Sequence, residues 1–118
     1  MANVILVVDD SPSFHAAAAG LLAERGFDVL LTAYDGEQAL AAVASERPDG
    51  ILLDIGLPGP NGFAVAASLA AACPGIRIVL TSAEFDQVPA GILETSAAAA
   101  FVPKDQLAVT DLGALFAG

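Results

Sequence analysis

Five short apolar stretches, spaced by segments of helical periodicity, constrain this chain more than any other feature. Val4 to Val8 is an unbroken, mostly β-branched apolar run. An unbroken run suits a strand buried on both faces, which is the condition of strands in a parallel sheet. Ser11-Pro12 follows as an N-cap and first-turn pair. Phe14, Ala17, Ala18, Leu21 and Leu22 then recur at helical spacing until Gly26. Phe27 to Thr32 reads as a second strand. Asp35-Gly36 opens a second helix with Leu40, Val43 and Ala44 on one face, closed by Pro48. Gly50 to Ile55 is a third strand, and Pro58 to Gly62 is a loop of turn formers. Asn61 is placed to cap a third helix over 62–72, stopped by Pro74, and Ile76 to Thr81 is a fourth strand.

Asp86 to Thr95 reads as a short fourth helix with Pro89 in its first turn. Ala97 to Ala100 suits the end of that helix or the start of a strand, and Ala100 to Pro103 is read as the fifth strand. Thr110-Asp111 can cap a final helix bearing Leu112, Leu115 and Phe116. Five strands alternating with five helices predict an α/β fold. It is a doubly wound parallel sheet with right-handed crossovers, covered on both faces. With 118 residues, one domain over 1–118 is expected.

Composition closes off other classes. Hydrophobic residues make up 56% and charged residues 15%, which excludes a disordered chain. The longest uncharged apolar run, 63–76, is broken by Pro74 and is too short to span a bilayer. The net charge of -10 leaves no basic stripe for nucleic acid and no attraction to an anionic membrane surface. Cys73 is the sole cysteine, so no internal disulfide framework exists. The first residues carry neither a basic n-region nor a cleavage site, and a cytoplasmic location is expected.

In an open α/β sheet, ligands bind beyond the carboxyl ends of the strands. The first strand ends in Asp9-Asp10, the third carries Asp54, the fourth ends in Thr81-Ser82 and the fifth leads to Lys104. Three carboxylates, a hydroxyl and an ammonium thus fall at one edge. Clustered carboxylates raise each other's pKa, and a hard divalent cation such as Mg²⁺ relieves that repulsion. One carboxylate can then attack phosphorus, with the cation and one lysine balancing charge on the transferred group.

Four segments carry a resemblance. They are Val8-Asp9-Asp10, the run from Leu53-Asp54-Ile55-Gly56 to Asn61-Gly62, Leu80-Thr81-Ser82-Ala83, and Phe101-Val102-Pro103-Lys104. In this order and spacing the whole chain resembles a two-component response-regulator receiver (CheY-like) domain, a flavodoxin-like fold with strand order 2-1-3-4-5. The resemblance implies that Asp54 accepts the phosphoryl group from a histidine kinase or phosphotransfer protein. It implies that Asp10 binds Mg²⁺ directly, Asp9 largely through water, and Gly56 through its backbone carbonyl. Ser82, preferred over Thr81, would hydrogen-bond the phosphoryl group, and Lys104 would pair with it. Phe101 would turn inward as Ser82 moves. Gly56 and Glu84 would flank the path of the attacking water and tune the phosphate lifetime.

Such a domain catalyses only its own phosphorylation and dephosphorylation and is not a turnover enzyme. Its output would be protein contact through the face of the fourth helix, fifth strand and fifth helix, with a downstream partner or a second copy. The chain stops soon after its last helix without a linker, so an appended DNA-binding domain is not expected. Two alternatives are a degenerate receiver used only for binding, and an Mg²⁺-dependent aspartyl phosphohydrolase. Gly56 stands where the latter would carry a second Asp. His15, in the first turns of the first helix, is expected at the surface or rim, and Cys73 as a packed or semi-exposed side chain. Gly56, Gly59 and Gly62 lack the spacing of a nucleotide-binding loop.

Overall fold

A computed structural model describes residues 3–56, 62–83 and 98–117. The chain runs β1 (Val4–Val8), α1 (Pro12–Glu24), β2 (Asp28–Ala33), α2 (Gly36–Glu46) and β3 (Gly50–Asp54). It continues through α3 (Gly62–Ala72), β4 (Arg77–Ser82) and β5 (Ala100–Pro103) to a 3-10 helix (Lys104–Val109) and a C-terminal helix (Leu112–Ala117). The five strands form one parallel sheet in the order β2-β1-β3-β4-β5, as expected. The fourth helix expected over 86–95, the Asn61 cap and Glu84 lie outside the described residues. Among the described residues, no helix is long and apolar enough to cross a membrane.

Strand side chains alternate between two cores. Leu6, Val8, Ile51, Leu53, Ile78 and Leu80 face α2 and α3. Ile5, Val7, Leu52, Val79 and Val102 face α1 and the C-terminal helix. Both sets are buried, which is why the strands read as continuous apolar runs rather than alternating ones. Each buried Leu or Ile contributes roughly 1.5–3 kcal/mol. The central strands β1 and β3 therefore hold the sheet most firmly, and their carboxyl ends are the most rigid places from which to project polar groups.

The helices start where side chains can satisfy their free N–H groups. Ser11 caps α1 by accepting from Phe14 N, and Asp35 caps α2 by accepting from Gln38 N at 2.8 Å. At the other end of α1, the Arg25 guanidinium donates to the Leu21 and Ala108 carbonyls, both at 2.9 Å. That ties α1 to the 3-10 helix, an element no periodicity announced. The 3-10 helix is too short to show a repeat, and it is anchored through the fully buried Leu107.

Two helix faces differ from expectation. On α2 the buried stripe is Ala39, Ala42 and Val43, while Leu40 is 37% exposed and Ala44 is exposed. Alanines in the stripe let α2 approach the sheet closely, and the larger Leu40 is displaced to the edge. On α1 the buried stripe is His15, Ala18 and Leu22, with Ala17 exposed. His15 is 2% exposed, so it belongs to the interior rather than to the rim.

Gly62 is set by close approach. A Cβ there would lie 2.3 Å from Ile55 Cα, a backbone atom with no room to yield. Gly62 N donates to Ile55 O at 3.3 Å, which brings the start of α3 against the residue following β3. Gly62→Ala is expected to destabilise the domain by about 1–3 kcal/mol. Gly20, in the middle of α1, has nothing within 4 Å of its Cβ position. Gly20→Ala should stabilise by about 0.5–1 kcal/mol. Urea unfolding of both variants checks the contrast, and equal shifts would refute it.

Candidate functional site

The sheet delivers its carboxylates by register. β1 and β3 are paired so that Val8 lies beside Leu53, and the next residue of each strand is Asp9 and Asp54. Asp54 is in turn paired with Thr81 on β4. Asp9 is fully buried, Asp54 is 6% exposed and Asp10 is exposed. One oxygen of each of these three carboxylates lies within 4.8 Å of the others.

Asp9 is held at all four of its polar atoms. Its N–H donates to Ala33 O of β2 at 3.4 Å, and its Oδ1 accepts from Ser11 N at 2.8 Å. Its carbonyl oxygen accepts from His15 Nε2 at 2.8 Å. Its Oδ2 has no hydrogen bond of good geometry but lies 2.8 Å from Lys104 Nζ. Asp54 Oδ1 accepts from Gly56 N at 2.9 Å, and Oδ2 lies 3.6 Å from the same lysine nitrogen. The Lys104 ammonium rests over the Phe14 ring, 4.2 Å from its centroid. Phe14 thus supplies a third face of the lysine's environment.

The charges do not balance. Three carboxylates against one ammonium leave a surplus of two negative charges. Two carboxylates at about 5 Å repel by ~3 kcal/mol at an effective dielectric of about 20. Burial pushes the Asp54 carboxyl above its ordinary range. The Gly56 N–H opposes that shift, Asp9 adds to it through its charge and a hydrogen bond, and Lys104 opposes it. An all-oxygen donor set with this surplus, an Asp9 oxygen without a directional partner and one solvent-facing carboxylate can coordinate a hard divalent cation.

Among the residues singled out by sequence, Asp9, Asp10, Asp54 and Lys104 meet directly. Ser82 is buried at the end of β4, one residue past the partner of Asp54. Thr81 is fully buried, and its Oγ1 has no hydrogen-bond partner. Phe101 is half-buried on β5, paired with Leu80. Gly56 contributes an N–H to Asp54, a contact the sequence did not announce. Cys73 is a half-buried free thiol. His15 and Phe14 are the residues that sequence reasoning undervalued. The spacing of His15 to Ala18 and Leu22 was the available signal for its burial.

A sequence model described as the response regulator receiver domain matches residues 5–112. The DNA-binding response regulator MtrA of Mycolicibacterium smegmatis is 46% identical over 88 residues, covering 75% of this chain and 38% of that protein. The matched stretches cover 38%, 22% and 34% of three such curated relatives, so the chain corresponds to only part of their length. NtrX from Brucella abortus superposes with a TM-score of 0.79 at 30% identity, over 98% of this chain and 27% of that one. The response regulator domain of Thermotoga maritima CheB gives a TM-score of 0.82 at 23% identity, over 98% and 94% of the two chains, a likeness of fold.

The raised Asp54 pKa has a consequence for stability. Between the unfolded value near ~4 and the raised folded value, the native state holds more protons than the unfolded state. Stability from this group is present in full at acid pH and is lost as pH rises through the folded value. In EDTA at pH 7, Asp54→Asn is therefore expected to melt a few degrees above wild type. The gap should narrow as the pH falls toward 4. Thermal melts across that range check this, and coincident melting at pH 7 would rule it out.

Proposed function

Because this chain belongs to the response regulator receiver domain family, we propose that it is the phosphoacceptor of a two-component phosphorelay, taking a phosphoryl group onto Asp54. The observation that carries this reading is the meeting of Asp9, Asp10, Asp54 and Lys104 at the carboxyl edge of the sheet. In the reaction, an Asp54 carboxylate oxygen attacks the phosphorus of a phosphohistidine donor. The phosphorus–nitrogen bond breaks, and the departing imidazole takes up a proton. Hydrolysis of the resulting acyl phosphate later restores the carboxylate.

Each side chain has a physical task in that sequence. The Gly56 N–H engages Asp54 Oδ1 and leaves Oδ2, on the Lys104 side, for attack. Asp10, Asp9, Asp54 and the Gly56 carbonyl would hold Mg²⁺, which supplies positive charge against the phosphoryl oxygens. Lys104, already within 3.6 Å of Asp54, would pair with the new phosphate, and Ser82 would hydrogen-bond it. Movement of Ser82 opens room for Phe101 to turn inward. Glu84 and Gly56 would flank the incoming water.

The domain works on itself and turns over no outside substrate. Its donor would be a histidine kinase or phosphotransfer protein in the cytoplasm. Its output would be contact with a downstream protein or a second copy, through the surface around β5 and the C-terminal helix. A net charge of -10 argues against nucleic-acid binding by these residues.

Acetyl phosphate with Mg²⁺ should add one phosphoryl mass to the intact protein, and EDTA or Asp54→Asn should abolish the gain. Persistence of the gain in Asp54→Asn refutes the assignment. Lys104→Ala should keep Mg²⁺ affinity within about threefold while losing the phosphorylation-dependent NMR shifts around Phe101. A normal structural response in that variant removes the lysine from the mechanism. A Cβ at Gly56 would sit 3.4 Å from Asp54 Oδ1, so a larger side chain there crowds the approach to the acyl phosphate. Gly56→Met is expected to lengthen the phosphate lifetime severalfold, and equal decay would show that the approach is set elsewhere.

A further inference from the structure

Three of the four contacts on Asp9 are accounted for by the neighbouring strand β2, the turn into α1 and the charge pair with Lys104. The fourth is the His15 contact. A carbonyl oxygen can only accept, so the imidazole nitrogen 2.8 Å away at Nε2 carries the proton and donates it. The other nitrogen, Nδ1, is buried with no hydrogen-bond partner. An apolar side chain would fill the stripe with Ala18 and Leu22 and leave no polar atom unsatisfied. What the imidazole adds is the bond to Asp9.

The ring is also braced from outside. Tyr34 stacks on it with centroids 4.4 Å apart and planes 9° from parallel. Tyr34 follows Ala33, whose carbonyl receives the Asp9 N–H, and its own N–H donates to Gln38 Oε1 at 2.7 Å. The end of β2 and the start of α2 thus hold Tyr34, Tyr34 holds His15, and His15 holds the carbonyl of the peptide joining Asp9 to Asp10.

We propose that His15, braced by Tyr34, is a positioning residue for the acidic pair. It fixes the plane of the Asp9–Asp10 peptide and so the direction in which the Asp10 carboxylate enters the cluster. The exposed Asp10 lacks the contacts that hold Asp9, so the peptide plane is what orients it. A residue that orients a ligand in this way governs cation affinity without touching the cation. The inference rests on the phosphoacceptor reading for its biological meaning and on the carboxylate cluster alone for its test.

His15→Phe keeps an aromatic ring for the stack and removes the donor, and His15→Gln returns an N–H donor. The probe is Mn²⁺ alone, with affinity measured by calorimetry on the full chain. His15→Phe is expected to bind Mn²⁺ roughly tenfold more weakly than wild type, with His15→Gln recovering most of the loss. In metal-free protein, the Asp10 and Ser11 amide resonances should shift in His15→Phe and return toward wild type in His15→Gln. Unchanged Mn²⁺ affinity in a folded His15→Phe, or a folded His15→Gln that binds no better than it, overturns the proposal. If His15→Phe does not fold, Tyr34→Ala decides. Its partly exposed side chain can be removed with the donor left in place, and affinity should fall about threefold; wild-type affinity overturns the proposal. Acetyl phosphate labelling is run in parallel. Failure of wild type to take up phosphate would sink the phosphoacceptor reading and leave the Mn²⁺ comparison intact.

Discussion

Burying Asp9 completely beside a second buried carboxylate is the arrangement on which the rest of this molecule depends. A carboxylate at zero exposure is tolerated only when its oxygens are engaged and its charge is opposed. β1 provides the place, since its last four residues are fully buried and bring the chain to the middle of the sheet. The turn into α1 provides Ser11 N, and β5 delivers Lys104, the sole lysine of the chain. Removing Lys104 leaves the fully buried Asp9 carboxylate without its opposing charge, whereas removing Asp9 leaves a partly exposed ammonium still 3.6 Å from Asp54. The contact therefore joins the start of the chain to the residues after β5 and belongs to the fold as much as to the site.

The described residues are otherwise well satisfied, and the exceptions gather in one region. The buried side-chain atoms lacking a hydrogen bond are Asp9 Oδ2, His15 Nδ1 and Thr81 Oγ1. Asp9 is a member of the cluster, His15 is bonded to Asp9, and Thr81 is the register partner of Asp54. Local rules of polar satisfaction are kept along the hydrophobic body of the sheet and relaxed at its carboxyl edge. That pattern is what a site ready for an external cation and anion requires, because a fully satisfied cluster has nothing to gain from a ligand.

The legible parts of this fold were those governed by one-dimensional patterns. The continuous runs at Val4–Val8 and 50–54 could not be amphipathic strands, so a parallel sheet with helices on both faces followed, and register then carried Asp9 and Asp54 to the same edge. Helix faces were less legible, because alanine supplies little contrast. On α2 the sequence favoured Leu40, yet a stripe of Ala39, Ala42 and Val43 lets the helix sit closer to the sheet. His15 was misplaced because a titratable residue is ordinarily assigned to solvent. Its burial depends on two partners distant in space, the Asp9 carbonyl and the Tyr34 ring, which no local window contains. The Gly56 N–H bond to Asp54 was hidden for a different reason, since a backbone donor leaves no trace in residue identity.

The position of Lys104 explains how chemistry at Asp54 can reach a surface. The lysine follows directly after β5, whose Pro103 is paired with Ser82 and whose Phe101 is paired with Leu80. β5 lies at the edge of the sheet and is paired only with β4, so it is held less firmly than β1 or β3. At present the ammonium is shared unequally, 2.8 Å from Asp9 and 3.6 Å from Asp54. In the phosphoacceptor reading, the phosphoryl group would bring about 1.5–2 negative charges in place of the single carboxylate charge of Asp54, a net gain of about 0.5–1 on that side. The balance between the two acceptors would then tip toward Asp54, with the charge of Asp9 opposed by the cation that Asp9, Asp10 and Asp54 would hold. A shift of Lys104 in that direction would act on an edge strand rather than on the buried centre of the sheet. The rearrangement of Ser82 and Phe101 proposed above would then follow from moving one charge between two carboxylates already in its reach.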